Sequence, residues 1–254
     1  MRFQPTLLGL LSASRHLVVF TGAGVSQESG IPTFRDALTG LWARFDAERL
    51  ATPEAFAADP ALVWGWYEWR RRRVLACQPN AAHLAIAELA RRLPRLTLVT
   101  QNVDGLHERA GSTEPIELHG SLHRPYCSRC GRAHALSGEL PQLGDEGERL
   151  VPPSCGDCGG LVRPGVVWFG EPLPAAALDQ AHRAVTSCDL LLSIGTSSLV
   201  YPAAMLPRRA AEYGARIVQI NPDATPLDDV AAFNLRGPAA RILPELLDQA
   251  WSEG

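Results

Sequence analysis

The chain has 254 residues, 46% of them hydrophobic, and a formal charge of −3 from 27 acidic and 24 basic side chains. That size allows one large domain, or a domain carrying a smaller insertion, around a real core. The slight acidic balance offers no electrostatic footprint for nucleic acid, and no apolar run reaches the roughly 18 residues that a membrane span needs.

Every basic residue is Arg. This reads most simply as codon bias and carries no function by itself. The opening stretch MRFQPTLLGLLSASRH has the look of a short signal peptide, but HLVVFTGAG follows directly and continues a fold. It is therefore read as part of the domain, and the protein is expected in the cytoplasm.

Strands are expected at His16–Thr21, Leu96–Thr100, Asp189–Ser193 and Arg216–Ile220. These short Val/Leu/Ile runs have little polar alternation, the pattern of parallel strands covered on both faces. Amphipathic helices are expected between them, at Ala81–Arg92, Ala175–Val185 and Pro202–Tyr213. Strands alternating with helices imply an α/β fold, a doubly wound parallel sheet. Ligands of such sheets bind beyond the carboxyl ends of the strands. Here those ends run into TGAG at 21–24, TQNVD at 100–104, GTSS at 195–198 and INPD at 220–223, so one site assembled from four loops is expected.

The first loop, TGAGVSQESGIPTFRD, has Gly22 and Gly24 just after a strand, where backbone N–H groups can approach a pyrophosphate. It then departs from the dehydrogenase fingerprint. Gln27 stands where a third small residue belongs, and Asp46, at the spacing of a ribose acid, is not at a strand end. Alone, the two glycines fit a bland α/β turn as well as a nucleotide loop. Ser29-Gly30-Ile31-Pro32 would instead lay the chain across the mouth of the sheet, where Phe34 and Arg35 offer an aromatic face and a cation.

The Trp-rich segment Leu41–Cys77 departs from the α/β rhythm as a helical insertion. Pro60 can start a helix capped by Asp59, and on it Tyr67 and Arg70 share one face. Two readings stay open on spacing alone. The helix is amphipathic, with Trp64, Trp66 and Trp69 packed and Arg70–Arg73 solvated. Alternatively, the phenol and guanidinium form a fork for the carboxylate end of a dicarboxyl group.

Residues 123–160 form a second departure, rich in Cys, Gly and Pro. Cys127-Ser-Arg-Cys130 and Cys155-Gly-Asp-Cys158 are two C-x2-C knuckles separated by 24 residues. Four thiolates around zinc leave no open position, so such a site is structural. Disulfides or a redox pair are the alternative, disfavoured in the cytosol. Cys77 and Cys188 read as buried small hydrophobes.

Taken together, GAGVSQESGIPTFR, TQNVDGLHERAG, ELHGSLH, the two C-x2-C pairs, GVVWFGE, GTSSLVYPAA and INP resemble the sirtuin family of NAD-dependent protein deacylases, in order from about Leu17 to Leu243. The resemblance implies a Rossmann-like NAD-binding domain from 1–40, 78–122 and 161–254, a helical insertion at 41–77 and a zinc-ribbon module at 123–160. It implies NAD contacts from Ala23, Gly24, Phe34, Arg35, Gln101, Asn102, Asp104, Gly195, Thr196, Ser197 and Asn221. A looser match, Gly237-Pro238-Ala239, would place Ala239 beside the adenine.

The resemblance makes His119, in ELHGS, the base, with Asn102 and Asp104 at the reacting sugar. In family chemistry the acyl oxygen of acyl-lysine attacks C1′ of the nicotinamide ribose, and a base then activates a ribose hydroxyl. Imidazole titrates near neutrality and suits that task. The products would be deacylated lysine, nicotinamide and O-acyl-ADP-ribose. Tyr67, Arg70 and Ala51 match the subgroup that removes succinyl- or malonyl-type groups, with acetyl a weaker substrate. Val167, Trp168 and Phe169 fall where the family pairs an extended substrate strand by main-chain bonds. NAD as co-substrate, one structural zinc, acyl-lysine proteins as partners and a monomer are expected. A plain deacetylase, a mono-ADP-ribosyltransferase and a non-catalytic NAD-sensing or zinc-ribbon module are the competing readings.

Overall fold

The structure is a computed structural model and describes residues 2–32, 46–136 and 147–251. Helix α1 (Pro5–Ser12) opens the chain, with Pro in the first turn, where a backbone N–H has no helical partner to lose. Leu7 and Leu11, one turn apart, are its buried side chains, so the leader-like apolar stretch packs into the core. Strand β1 (Leu17–Thr21) follows, then α2 (Ala47–Leu50), α3 (Pro53–Ala58), α4 (Pro60–Ala76), α5 (Ala81–Arg92) and β2 (Leu96–Thr100). Next come α6 (Leu106–Arg109), β3 (Ile116–Glu117), β4 (Tyr126–Cys127) and β5 (Val162–Arg163). The chain closes with α7 (Ala175–Val185), β6 (Leu190–Ile194), α8 (Leu206–Glu212), β7 (Arg216–Ile220), β8 (Phe233–Leu235) and α9 (Ala239–Ala250).

Among the described residues, six strands form one parallel sheet in the order β3-β2-β1-β6-β7-β8. The order reverses between β1 and β6, which opens a crevice at their carboxyl ends. Register makes those ends level: Thr21 pairs with both Thr100 and Ile194, and Ile194 with Ile220. Alternate residues of β1 serve opposite layers. Leu17 and Val19 pack with α1, α5 and α9, while Val18 and Phe20 pack with α7 and α8. Both faces are thus covered, which is why these strands read as unbroken apolar runs. Among the described residues no helix is long and apolar enough to cross a membrane.

The expected elements hold with a few adjustments, the first being that β1 starts at Leu17, one residue later than expected. The third expected strand runs one residue later, at Leu190–Ile194. The expected helix at 202–213 is split into a 3-10 turn, Ala203–Met205, and α8. Pro207 in the first turn of α8 has no N–H for a bond back to Ala203, so the helix restarts there. Strands β3 and β8 are too short to leave an apolar run in the sequence.

The segment between β1 and β2 builds its own small core. Thr52 and Asp59 cap α3 and α4 by accepting the backbone N–H of Ala55 and Leu62. Helix α4 does not follow the amphipathic one of the two readings: Trp64, Trp66, Tyr67 and Trp69 are all buried, and so are Glu68 and Arg71, which pair with each other. One reason is Gly65, where a Cβ would lie 2.0 Å from the Glu148 carbonyl oxygen. Only glycine lets the 147–150 segment lie on the helix, where Leu150 N–H donates to the Ala61 carbonyl and Arg149 pairs with Asp59.

Candidate active site

Two of the strand-end loops are locked together by close backbone contact. Gly22 N–H donates to Ile194 O at 3.1 Å and Gly24 N–H to Gly195 O at 2.8 Å. A Cβ on Gly24 would lie 2.7 Å from Gly195 O, and Gly195, at φ +60°, would press its own 2.3 Å from Val25 N. After this junction the chain makes a 3-10 turn, Ala23–Ser29, instead of the long helix of a dehydrogenase loop. That accounts for the incomplete fingerprint.

All four loops open on one cavity of about 630 Å³, within the range of small-molecule sites. Gly22, Ala23, Gly24, Gln101, Asn102, Asp104, Gly195, Thr196, Ser197 and Asn221 line it, and so does His119. Ala51, Tyr67, Arg70, Val167 and Phe169 line the same cavity. Phe34 and Arg35 lie outside the described residues. Ala239 is not on the cavity wall; it starts α9 and packs in the core.

A buried polar chain supports the floor. Ser26 Oγ–H donates to Asp104 Oδ2 at 2.8 Å, and Asn102 Nδ2 donates to Ser26 Oγ at 3.1 Å. His83 Nδ1 takes the Asn80 backbone N–H, so its Nε2 carries the proton and faces Ser26 Oγ at 3.4 Å. The Ser26 oxygen is therefore fully used. Burial pushes the Asp104 carboxyl above its usual range, against the opposing pull of the Leu106 N–H and the Ser26 hydroxyl. Burial also lowers His83 to about 4. Neither Ser26 nor His83 stands out in sequence: one sits inside the glycine motif as apparent filler, the other in the capping box of α5. Beyond them, Gln101 Nε2 donates to Thr196 Oγ1 at 3.0 Å, and Asn221 Nδ2 to Thr196 O at 2.8 Å, tying three loops together.

His119 is half-buried at the cavity wall. Its Nδ1 lies 3.0 Å from the Gln101 carbonyl oxygen. A carbonyl can only accept, so Nδ1 holds the proton and the Nε2 lone pair is left for chemistry. Desolvation lowers its pKa, partly offset by the Gln101 bond. Another nearby histidine, His107, is buried behind the floor with Nε2 at 3.0 Å from Thr21 Oγ1.

On the same cavity wall, Tyr67 Oη accepts the Trp168 Nε1–H at 3.1 Å. Burial pushes the phenol up to about 12. Arg70 reaches the same wall, its guanidinium carbon 4.9 Å from the Trp66 ring centre and 5.6 Å from that of Tyr67. Burial lowers its pKa, opposed by Tyr67 and Asp104. The N–H groups of Val167, Trp168 and Phe169 are already bonded, to His119 O, Glu171 and Ala51 O.

In the insertion, β4 and β5 pair antiparallel and hold the two knuckles side by side. The Sγ atoms of Cys127, Cys130, Cys155 and Cys158 all lie within 4.8 Å of one another. Tetrahedral Zn–S bonds of about 2.3 Å require sulfur separations near 3.8 Å, and the Cys130–Cys155 separation is 3.8 Å. Backbone N–H groups of Arg129 and Gly160 point at Cys127 and Cys158 Sγ, as thiolate ligands require. The cluster fits one structural zinc. Cys188 is buried as expected; Cys77 is only half-buried, because it ends α4 at the surface.

A family model, the Sir2 family, matches residues 22–202. The chain is 61% identical over 247 residues to an NAD-dependent protein deacylase of Methylococcus capsulatus, covering 97% of each chain. It is 59% identical to NAD-dependent protein deacylase 1 of Pseudomonas aeruginosa, covering 95% of this chain and 97% of that one. A solved Sir2 homolog–NAD complex superposes with a TM-score of 0.88 at 47% identity, covering 99% of this chain and 95% of that one. A Sir2–p53 peptide–NAD+ structure superposes with a TM-score of 0.86 at 31% identity, covering 99% and 100%. By sequence and by fold, the chain belongs to the Sir2 family, the sirtuins.

Proposed function

We propose that this NAD-dependent protein deacylase acts preferentially on lysines carrying short acyl groups that end in a carboxylate, with acetyl-lysine a weaker substrate. The observation that carries the preference is the placement of Tyr67 and Arg70 on the wall of the cavity that also holds His119. A carboxylate at the end of the acyl group could take a charge-assisted hydrogen bond from the guanidinium and one from the phenol, which an acetyl group cannot accept.

NAD, when bound, supplies the sugar carbon that takes up the acyl oxygen. We assign the protein's own residues as follows. The loops at Gly22–Gly24, Gly195–Ser197 and Asn221 hold the phosphates and adenosine ribose. Asn102 and Asp104, braced by Ser26, position the nicotinamide ribose. His119 Nε2 accepts a proton from a ribose hydroxyl, with Gln101 fixing its tautomer. The acyl-lysine chain enters past Val167 and Phe169 toward Ala51, Tyr67 and Arg70. Residues 1–40, 78–122 and 161–254 would form the NAD-binding domain, with 41–77 and 123–160 as the helical and zinc-ribbon insertions.

The test is nicotinamide release from NAD with succinyl-lysine and acetyl-lysine peptides, separately and in competition. Higher kcat/KM on the succinyl peptide is expected. Equal or better use of the acetyl peptide returns the reading to a plain deacetylase.

A further inference from the structure

The hydrogen bond between Trp168 and Tyr67 links two segments that are 101 residues apart and both buried. An indole N–H can only donate. Its bond to Tyr67 Oη therefore takes an oxygen lone pair and keeps the phenol hydrogen away from that side. The phenol hydrogen is left to point elsewhere, and Tyr67 lines the cavity.

The indole itself is held on several sides. The Arg163 guanidinium carbon lies 3.4 Å from its ring centre, and the Phe56 ring centre is 5.4 Å away. The Trp168 backbone N–H donates to Glu171 Oε2 at 2.8 Å, and Glu171 takes both Arg163 amino groups. Arg163 is the last residue of β5, so the cation that clamps the indole comes from the edge of the cysteine module.

We infer that Trp168 is a specificity-positioning residue, whose indole N–H orients the Tyr67 hydroxyl as a donor toward the carboxylate end of the acyl group. This rests on the proposed acyl preference. With the indole donor removed, the phenol hydrogen is no longer held on the carboxylate's side, and donating to the acyl carboxylate must first fix that rotation. An acetyl group carries no acceptor at that depth and does not sense the phenol's direction.

The test measures kcat and KM on succinyl- and acetyl-lysine peptides for the wild type, Trp168→Phe, Tyr67→Phe and the double variant. Trp168→Phe keeps an aromatic ring for Arg163 and Phe56 but removes the N–H. A benzothienylalanine at 168, isosteric and without the N–H, serves if the Phe variant folds poorly. The succinyl-to-acetyl ratio of kcat/KM is expected to fall about tenfold, the net worth of one hydrogen bond at a charged group, and to do so through KM. In the Tyr67→Phe background the same change should move the ratio less than about twofold, because its route is gone. An unchanged ratio in Trp168→Phe, equal losses on both substrates, or multiplying losses in the double variant overturns the inference. A preference lost in Arg70→Met but kept in Trp168→Phe removes this inference alone. A wild type with no preference for the acidic acyl group removes the parent reading and this one with it.

Discussion

His119 and Gln101 are joined by a 3.0 Å contact from the imidazole Nδ1 to a backbone carbonyl oxygen. The contact settles the tautomer and leaves Nε2 as the basic atom on the cavity side. Replacing the ring by a phenol, His119→Tyr, is expected to reduce turnover by roughly 10²–10⁴-fold, the usual worth of a positioned base. Far-UV circular dichroism should be unchanged. Near-normal turnover in a folded variant would remove the assignment.

The same residue predicts a pH profile. A base must be neutral, and burial lowers the His119 pKa from 6.5. Activity should rise with pH through a midpoint below 6.5. An acidic limb of kcat/KM centred above pH 7 would contradict this placement of the ring.

Arg70 shares the cavity wall with Tyr67. Arg70→Met preserves length and apolar contact with Trp66 while removing the charge. The expected loss in kcat/KM is roughly 10- to 100-fold on succinyl-lysine peptide, as for charge-assisted hydrogen bonds, and far smaller on acetyl-lysine peptide. Parallel losses on both peptides would show that the guanidinium serves the fold instead of the acyl group.

The cysteine cluster predicts one zinc per chain by elemental analysis. Stripping it with a strong chelator, or introducing Cys155→Ser, should lower Tm by on the order of 10 °C, since several kcal/mol of folding energy reside in such a site. A metal-free preparation with unchanged Tm would refute the structural role.

His83 and His107 predict acid sensitivity of the fold. Burial lowers them to about 4 and about 3. Between pH 6.5 and 4 the unfolded chain binds protons there that the folded chain does not, so stability falls as pH falls through that window. Each histidine contributes up to about 1.4 kcal/mol per pH unit. Urea unfolding at pH 7 and pH 5 should show the drop, and His107→Gln should shrink it. Equal stability at both values would mean that these rings are hydrated.

Much of the site is legible from residue type because a parallel sheet sends its functional groups to one edge. Thr21, Thr100, Ile194 and Ile220 end level, so any polar loop following those apolar runs must face the same crevice. The cysteine knuckles are legible for a different reason: metal ligation tolerates few residue types and few spacings. Ser26 and His83 are not legible. They become important only because the 3-10 turn after Gly24 and the first turn of α5 bring them to within 3.4 Å of each other.

By itself, then, the order of residues determined the α/β alternation, the four loops and the metal ligands, since each follows from local pattern or from chemistry that few side chains can supply, while the assignment of His119 as base came from the family resemblance. The tertiary structure decided what no local pattern contains. It buried α4 on most sides, placed Ala239 in the core at the start of α9, and set Trp168 against Tyr67. Those outcomes depend on which distant segments pack together, and close packing is a property of the whole chain.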